Sequence, residues 1–329
     1  MSQDYEQEKA VALEAVRAAS EVCRIVQQKI TPDVMEKKDR SPVTVADFAS
    51  QAMICRALES AFPDDPIIGE EDASELRDAE NRPFLDRVQQ ELSQVGLEAS
   101  SEEVCHWIDR GNESEFSERF WTLDPIDGTK GFLRKGQYAV ALALIIDGKV
   151  ALGALACPNL PVSADAENPA GAIFFALRGQ GSWVLPLDAE AEPNKIEVSR
   201  TSETKSARFC ESVESGHSSH GLSARVANDL EITREPIRLD SQAKYSVVAR
   251  GEADIYMRLP VNPTYREKIW DHAAGVLIVE ESGGRVTDVT GRPLEFTHGS
   301  LLSANRGVVA SNQKLHSNVL TALEENFKG

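Results

Sequence analysis

The sequence predicts a two-domain protein, α+β in its first part and α/β in its second. Three observations carry that prediction. The chain of 329 residues is too long for one typical core. Strand chemistry in a meander order dominates residues 120 to 185, after a helical start. Beyond residue 195, short apolar strands alternate with helical segments. The acidic, proline-containing run at residues 186 to 195 is the junction, giving domains 1–190 and 191–329.

Val11, Ala15, Ala19, Val22, Val26 and Ile30 recur at helical spacing, and Thr31-Pro32 ends that first helix. Ser41 to Asp47 is short, polar and β-prone, a connector into a second helix with Ala49, Met53, Ala57 and Leu58 on one face. Phe62-Pro63-Asp64-Asp65-Pro66 stops it. Ile67-Ile68-Gly69 then reads as a short buried strand delivering Glu70 and Glu71 at its end. Residues 73 to 118 are polar and weakly helical, and are expected as a solvated insertion over the surface.

Tyr138–Ile146 and Lys149–Cys157 flank Asp147-Gly148, a strong hairpin signal, because both residues tolerate positive φ. Ala172–Arg178 and Ser182–Leu185 flank a second glycine-rich turn, Gly179-Gln180-Gly181. In the second part, strands are expected at Lys195–Ser199, Arg208–Val213, Ile237–Leu239 and Asp254–Leu259. Helices are expected at about 219–229, Gln242–Arg250, Trp270–Ser282 and Asn312–Phe327.

Composition excludes several function classes. The net charge of −18 repels polyanions, so wrapping a nucleic acid is disfavoured. The five cysteines are odd in number and widely spaced, with no CxxC pair, which argues against a disulfide framework or zinc ribbon and for buried thiols in a reducing compartment. The acidic N-terminus is no signal peptide, and the longest apolar stretch, Tyr138 to Ile146, is too short to span a bilayer. A cytoplasmic protein without a membrane segment is expected.

The densest chemistry is Trp121-Thr122-Leu123-Asp124-Pro125-Ile126-Asp127-Gly128-Thr129-Lys130-Gly131. Asp124 and Asp127 leave one stiff corner, with Pro125 between them and the Ile126 carbonyl unused by a turn. Two carboxylates and a carbonyl are an all-oxygen donor set suited to a hard cation such as Mg²⁺. Gly128 and Thr129 then offer backbone N–H groups of the kind that bind phosphate oxygens. Taken singly, each candidate has an ordinary explanation. Asp124 and Asp127 are common turn residues, Glu70 and Glu71 a solvated loop, Asp47 an N-cap, and Asp271 a first-turn carboxylate. Their joint presence raises all of them. Histidine offers no rival: His217 and His220 lack a thiol partner, and no HExxH, GxSxG or Walker A pattern occurs.

At these residues the chain resembles a known family. Leu123-Asp124-Pro125-Ile126-Asp127-Gly128-Thr129 and Trp270-Asp271-His272-Ala273-Ala274-Gly275 look like the two signatures of the lithium-sensitive, inositol monophosphatase-like phosphatases. Ser41-Pro42-Val43-Thr44, Gly128 to Arg134, Glu211 to Glu214, Gly216 to His220 and Leu239 to Gln242 narrow the resemblance to the 3′(2′),5′-bisphosphate nucleotidases. The resemblance implies a layered αβαβα sandwich with its site between the domains. It implies hydrolysis of adenosine 3′,5′-bisphosphate to AMP, with 3′-phosphoadenylyl sulfate as a second substrate, clearing by-products of sulfur assimilation.

Carried over by position, Glu70, Asp124, the Ile126 carbonyl, Asp127 and Asp271 would bind two or three Mg²⁺ ions. Asp47 and Thr129 would handle the attacking water. Gly128, Thr129, His217, Ser241, Lys244, Arg258 and Asp271 would contact the nucleotide. Inhibition by Li⁺, and by Na⁺, is the companion expectation, as is a monomer that acts on a small nucleotide bisphosphate. An inositol polyphosphate 1-phosphatase and a non-catalytic nucleotide sensor are the alternatives. A nuclease is weakened by the acidic charge.

Overall fold

The computed structural model describes residues 5–29, 34–36, 42–165, 171–189, 191–213, 220–260, 262 and 264–328. Helix α1 (Glu6–Lys29) buries Ala12, Ala15, Val16, Ala19, Val22, Cys23 and Val26, the apolar stripe that its sequence period dictates. Strands β1 (Val34–Glu36) and β2 (Pro42–Thr44) pair antiparallel and lead directly into α2 (Val45–Ala61). After β3 (Ile67–Gly69) come α3 (Arg82–Gln94) and α4 (Ser101–Asp109). Helix α4 begins in a capping box, in which Ser100 Oγ accepts from the Glu103 N–H and the Glu103 carboxylate accepts from the Ser100 N–H.

Strand β4 (Arg119–Asp127) and the short α5 (Thr129–Leu133) precede the meander β5 (Ala139–Ile146), β6 (Lys149–Cys157), β7 (Ala172–Leu177), β8 (Gly181–Pro186) and β9 (Asn194–Ile196). The order in this larger sheet is β3-β4-β5-β6-β7-β8-β9, with only β3 and β4 parallel. The expected hairpin at Asp147-Gly148 is present, and both residues have positive φ, 50° and 71°.

The second part runs β10 (Phe209–Glu211), α6 (His220–Asp229), β11 (Ile237–Arg238), α7 (Ala243–Ala249), β12 (Ile255–Arg258), α8 (Ala273–Glu281), β13 (Gly284–Thr287), β14 (Val308–Asn312) and α9 (His316–Lys328). Its sheet has the order β11-β10-β12-β14-β13. Strand β10 is parallel to β11 and β12, whereas β14 is antiparallel to β12 and β13.

The layers follow from which residues share a core. On β5, Val140, Leu142 and Leu144 pack with α1 and α2, while Ala139, Ala141 and Ala143 pack with α7 and α8. Helices α7 and α8 also cover the inner face of the smaller sheet, and its outer face carries α6 and α9 through Leu222, Val226, Val319 and Leu323. The result is the αβαβα sandwich. Small residues let α8 sit close to the larger sheet: a Cβ at Gly153 of β6 would fall 2.8 Å from the Ala274 carbonyl oxygen. No helix among the described residues is long and apolar enough to cross a membrane.

Three expectations change. Residues 73 to 118 are not merely a solvated cover, because Leu85, Val88, Leu92, Val104 and Ile108 are buried in the core that α1 and α2 share with the sheet. Strands β13 and β14 were absent from the reading, and Asn312 ends β14 rather than starting the last helix. Its side chain accepts from the Leu315 N–H at 3.0 Å, and α9 opens at His316. Finally, β9 joins the larger sheet, so that sheet's last strand lies past the 190/191 division.

Candidate active site

Strands β4 and β5 lose register between Asp124, which opposes Ala141, and Asp127, which opposes Ala139. The extra residue on β4 is a bulge, so the turn expected after a strand end is a kink within the strand. Pro125 suits that place because it has no N–H to give to a ladder. Ser50 Oγ of α2 donates to the Pro125 carbonyl at 2.9 Å and holds the kink from below. Gly128 follows with φ 88°, a left-handed conformation that favours glycine, and α5 opens at Thr129. Thr129 Oγ1 donates to the Ile126 carbonyl at 3.2 Å.

Glu70 arrives from the neighbouring strand. Because β3 runs parallel to β4 with Gly69 beside Leu123, the residue after Gly69 emerges alongside Asp124. The backbone there is clamped by Gln51 of α2. Gln51 accepts from the Glu71 N–H at 3.1 Å and donates to the Glu71 carbonyl at 2.5 Å and the Ile108 carbonyl at 2.9 Å. Gly69 and Gly111 make room for it: a Cβ at either would fall within 2.9 Å or 2.6 Å of its amide.

The segment from Asp240 to Gln242 closes the site. The Gln242 N–H donates to Asp127 Oδ2 at 2.6 Å, and the Gln242 side chain donates to the Trp270 carbonyl at 2.8 Å, beside Asp271. A Cβ on Gly128 would meet Ser241, and one on Gly131 would meet Gln137 and Asp240, so the two segments touch only because both positions are glycine. Arg134 pairs with Asp240 at 2.8 Å across the same seam.

A cavity of about 440 Å³ results. Of the sequence-predicted residues, Glu70, Asp124, Ile126, Asp127, Gly128, Thr129, Ser241, Lys244, Arg258 and Asp271 line it. Asp47 is 1% exposed in the first turn of α2 and is not among the lining residues. It stands three residues before Ser50, hence on the α2 face that meets the Asp124–Asp127 kink. His217 lies outside the described residues. The sequence reading missed Tyr256, Tyr265 and Lys268, which also line the cavity. No periodicity marks them, since they sit on a short strand and the loop after it. A larger hollow of about 620 Å³ lies near Leu76 and Cys105, but Arg77 and Arg82 there are already paired with Asp109 and Asp86.

The charge distribution is lopsided. Burial pushes the Asp124 carboxyl well above the usual carboxylate range, and Glu70, Asp127 and Asp271 push it further. One Asp124 oxygen, Oδ1, is buried without a hydrogen-bond partner. Asp271 is also raised, first by burial and then by Asp127 and Glu70, with Arg258 acting against the rise. Arg258 Nε lies 2.7 Å from Glu267 in an ion pair, and its Nη2 donates to Asp271 Oδ2 at 3.3 Å. Lys244 is 3% exposed. Its ammonium donates to the carbonyls of Ser241 at 2.7 Å and Leu239 at 3.3 Å, and burial lowers its pKa. An all-oxygen set holding surplus negative charge and an orphaned oxygen fits a hard divalent cation.

Residues 4–328 match the model of the inositol monophosphatase family. The chain is 43% identical to a 3′(2′),5′-bisphosphate nucleotidase of Schizosaccharomyces pombe, over 97% of this chain and 95% of that protein. It is 42% identical to 3′(2′),5′-bisphosphate nucleotidase 1 of Arabidopsis thaliana, over 98% and 97% of the two chains. Among solved structures, an IMPase of Thermotoga maritima superposes with a TM-score of 0.67 at 21% identity, covering 98% of each chain. An inositol monophosphatase from Anabaena gives 0.64 at 21% identity over 98% and 97% of the two chains. At that identity these two structures speak for the fold alone.

Proposed function

We propose, for a chain that belongs to the inositol monophosphatase family, that it removes the 3′-phosphate of adenosine 3′,5′-bisphosphate and leaves AMP. The observation that carries this reading is the pairing of walls. Mutually repelling carboxylates share one cavity with Lys244 and Arg258, as a phosphate held through a cation requires.

Glu70, Asp124, the Ile126 carbonyl, Asp127 and Asp271 would hold Mg²⁺, as two or three ions. When bound, such cations supply Lewis acidity and neutralise charge on a displaced phosphate group. The residues supply position and proton handling. The N–H groups of Gly128 and Thr129, at the start of α5, would bind phosphate oxygens. Thr129 orients the water, and Asp47 takes its proton. Water attacks phosphorus, the bond to the ribose 3′-oxygen breaks, and that oxygen takes a proton from solvent, to which Asp47 returns the one it accepted. Lys244 has three N–H donors and gives two to carbonyls, so the third serves the phosphate that stays. Arg258 presents its planar fork to the same group. Ser241 and His217 complete the nucleotide contacts, and 3′-phosphoadenylyl sulfate is a second substrate. Li⁺, and Na⁺ as well, inhibits by taking a cation position; a lithium titration that leaves the rate unchanged counts against this.

The test is phosphate release from adenosine 3′,5′-bisphosphate with Mg²⁺, beside AMP, inositol 1-phosphate and inositol 1,4-bisphosphate, each with an EDTA control. Metal-dependent release from the nucleotide bisphosphate, with AMP left intact, is expected. Release only from the inositol phosphates overturns the substrate. Tight nucleotide binding without release from any of them points to a sensor, and D47N separates the two, since an enzyme loses turnover while keeping binding.

A further inference from the structure

Arg258 stands between two carboxylates. It is closer to Glu267, at 2.7 Å, than to Asp271, at 3.3 Å. Tyr265 is within hydrogen-bonding reach of the same guanidinium. Glu267, Asp271 and His272 offer donor atoms within 4.8 Å of one another, a spacing that suits a metal ion. The guanidinium, however, already occupies the ground between the two carboxylates.

Glu267 is itself anchored from behind. It is 5% exposed and sits in the loop before α8. His272 Nε2–H donates to Glu267 Oε2 at 3.2 Å, and His272 Nδ1 accepts from the Tyr245 hydroxyl at 2.7 Å. Tyr245 in turn is locked by α8, since a Cβ at Gly275 would fall 2.2 Å from its ring. A buried chain, Tyr245 to His272 to Glu267, thus ends against Arg258, which lines the cavity.

One guanidinium has donors for both carboxylates but a single positive charge, so it cannot neutralise both. If Arg258 turned wholly to Asp271, it would neutralise a carboxylate of the acidic wall and lose its aim at the phosphate. We propose that Glu267 is a positioning residue: it draws Arg258 towards itself and away from a closer pairing with Asp271, leaving Asp271 for the cation and Arg258 for the phosphate. This rests on the functional reading above, in which Asp271 is a metal ligand. The chain behind Glu267 fixes the position from which it competes, so Tyr245 and His272 act through Glu267 and touch neither metal nor substrate.

The test is a calorimetric Mg²⁺ titration without substrate, on wild type, E267Q and the double variant E267Q/R258M. E267Q removes the competing charge, keeps the size and still accepts from His272. Its Kd for Mg²⁺ is expected to rise about tenfold, the lower end for loss of a partner behind a metal ligand. The double variant, having no guanidinium to misplace, is expected to return to the wild-type Kd. Wild-type affinity in E267Q overturns the proposal. So does a double variant as weak as E267Q, because the loss would then come from disturbed packing. Should E267Q fail to fold, Y245F removes only the hydroxyl at the far end of the chain. A weaker Mg²⁺ Kd in Y245F supports the proposal, and an unchanged one overturns it. If wild type releases no phosphate from the nucleotide, the substrate reading falls, while this cycle is still decided by metal binding.

Discussion

The acidic and basic walls of the cavity differ in how much of their charge is already matched. Glu70, Asp124, Asp127 and Asp271 repel one another, and Asp124 keeps a buried oxygen without a partner. On the basic side, Arg258 has Glu267 and a longer contact to Asp271, Lys244 has two carbonyls, and Arg134 at the seam has Asp240. The first wall is incomplete until a cation arrives, and the second is complete before any substrate does. Metal affinity is therefore bound up with relief of repulsion. Substrate affinity is a matter of groups held in place beforehand, which costs less ordering on binding.

The largest test of that contrast is D124N. Loss of a cation ligand is expected to lower kcat by on the order of 10³-fold, since several kcal/mol of charge stabilisation are at stake. Yet in EDTA the variant should melt at a higher temperature than wild type, because it removes one repelling carboxylate. In saturating Mg²⁺ the order should reverse, as ligand binding stabilises wild type. Thermal melts in both buffers check this; a D124N that is less stable even in EDTA would mean the acidic wall is not strained.

K244M addresses the basic wall. Loss of a charged hydrogen bond should raise KM for the bisphosphate by about 10- to 100-fold, with kcat and Mg²⁺ affinity changed far less. Steady-state kinetics over a range of Mg²⁺ would show it, and an equal loss in kcat would merge the two walls into one. Q51L removes the amide that bonds the Glu71 N–H and the Glu71 and Ile108 carbonyls, at a cost of about 2–4 kcal/mol in urea unfolding. It should also weaken Mg²⁺ binding, because Gln51 supports only the acidic wall.

The smallest effect lies outside both walls. His316, buried between Thr287 and Ser311, has its pKa lowered to about 4, first by burial and then by Arg285. A lowered folded pKa means stability that is full above the unfolded value of about 6.5 and is lost as pH falls towards 4. H316N should flatten part of that loss in melts between pH 7 and 4, with Mg²⁺ affinity at neutral pH unchanged.

The acidic wall was the legible one. Asp124 to Thr129 are contiguous, and Glu70 follows an apolar strand, so chain order alone gathers most of that chemistry. The basic wall is assembled from β12, α7 and a loop, and the partner of Arg258 stands nine residues on with no spacing rule to announce it. Strands β13 and β14 escaped for a related reason: their pairing is read across sequence-distant strands, and Val308 to Ala310 is a continuous apolar run without alternation. The helical insertion was misjudged because the buried residues of α3 and α4 are sparse among charges, and only their contact with α2 reveals them as core.

The calibre of the cavity is fixed by atoms that are not there. Gly153 lets α8 settle on the sheet, Gly275 lets Tyr245 settle on α8, and Gly128 and Gly131 let the two halves meet. Each is a gap filled by a neighbour, so a single methyl at any of them acts as a wedge, prising apart parts that must stay in step. Loops at the rim can lengthen or change sequence without touching that setting. A change in bore, for a bulkier or slimmer substrate, has to begin in this seam of missing side chains.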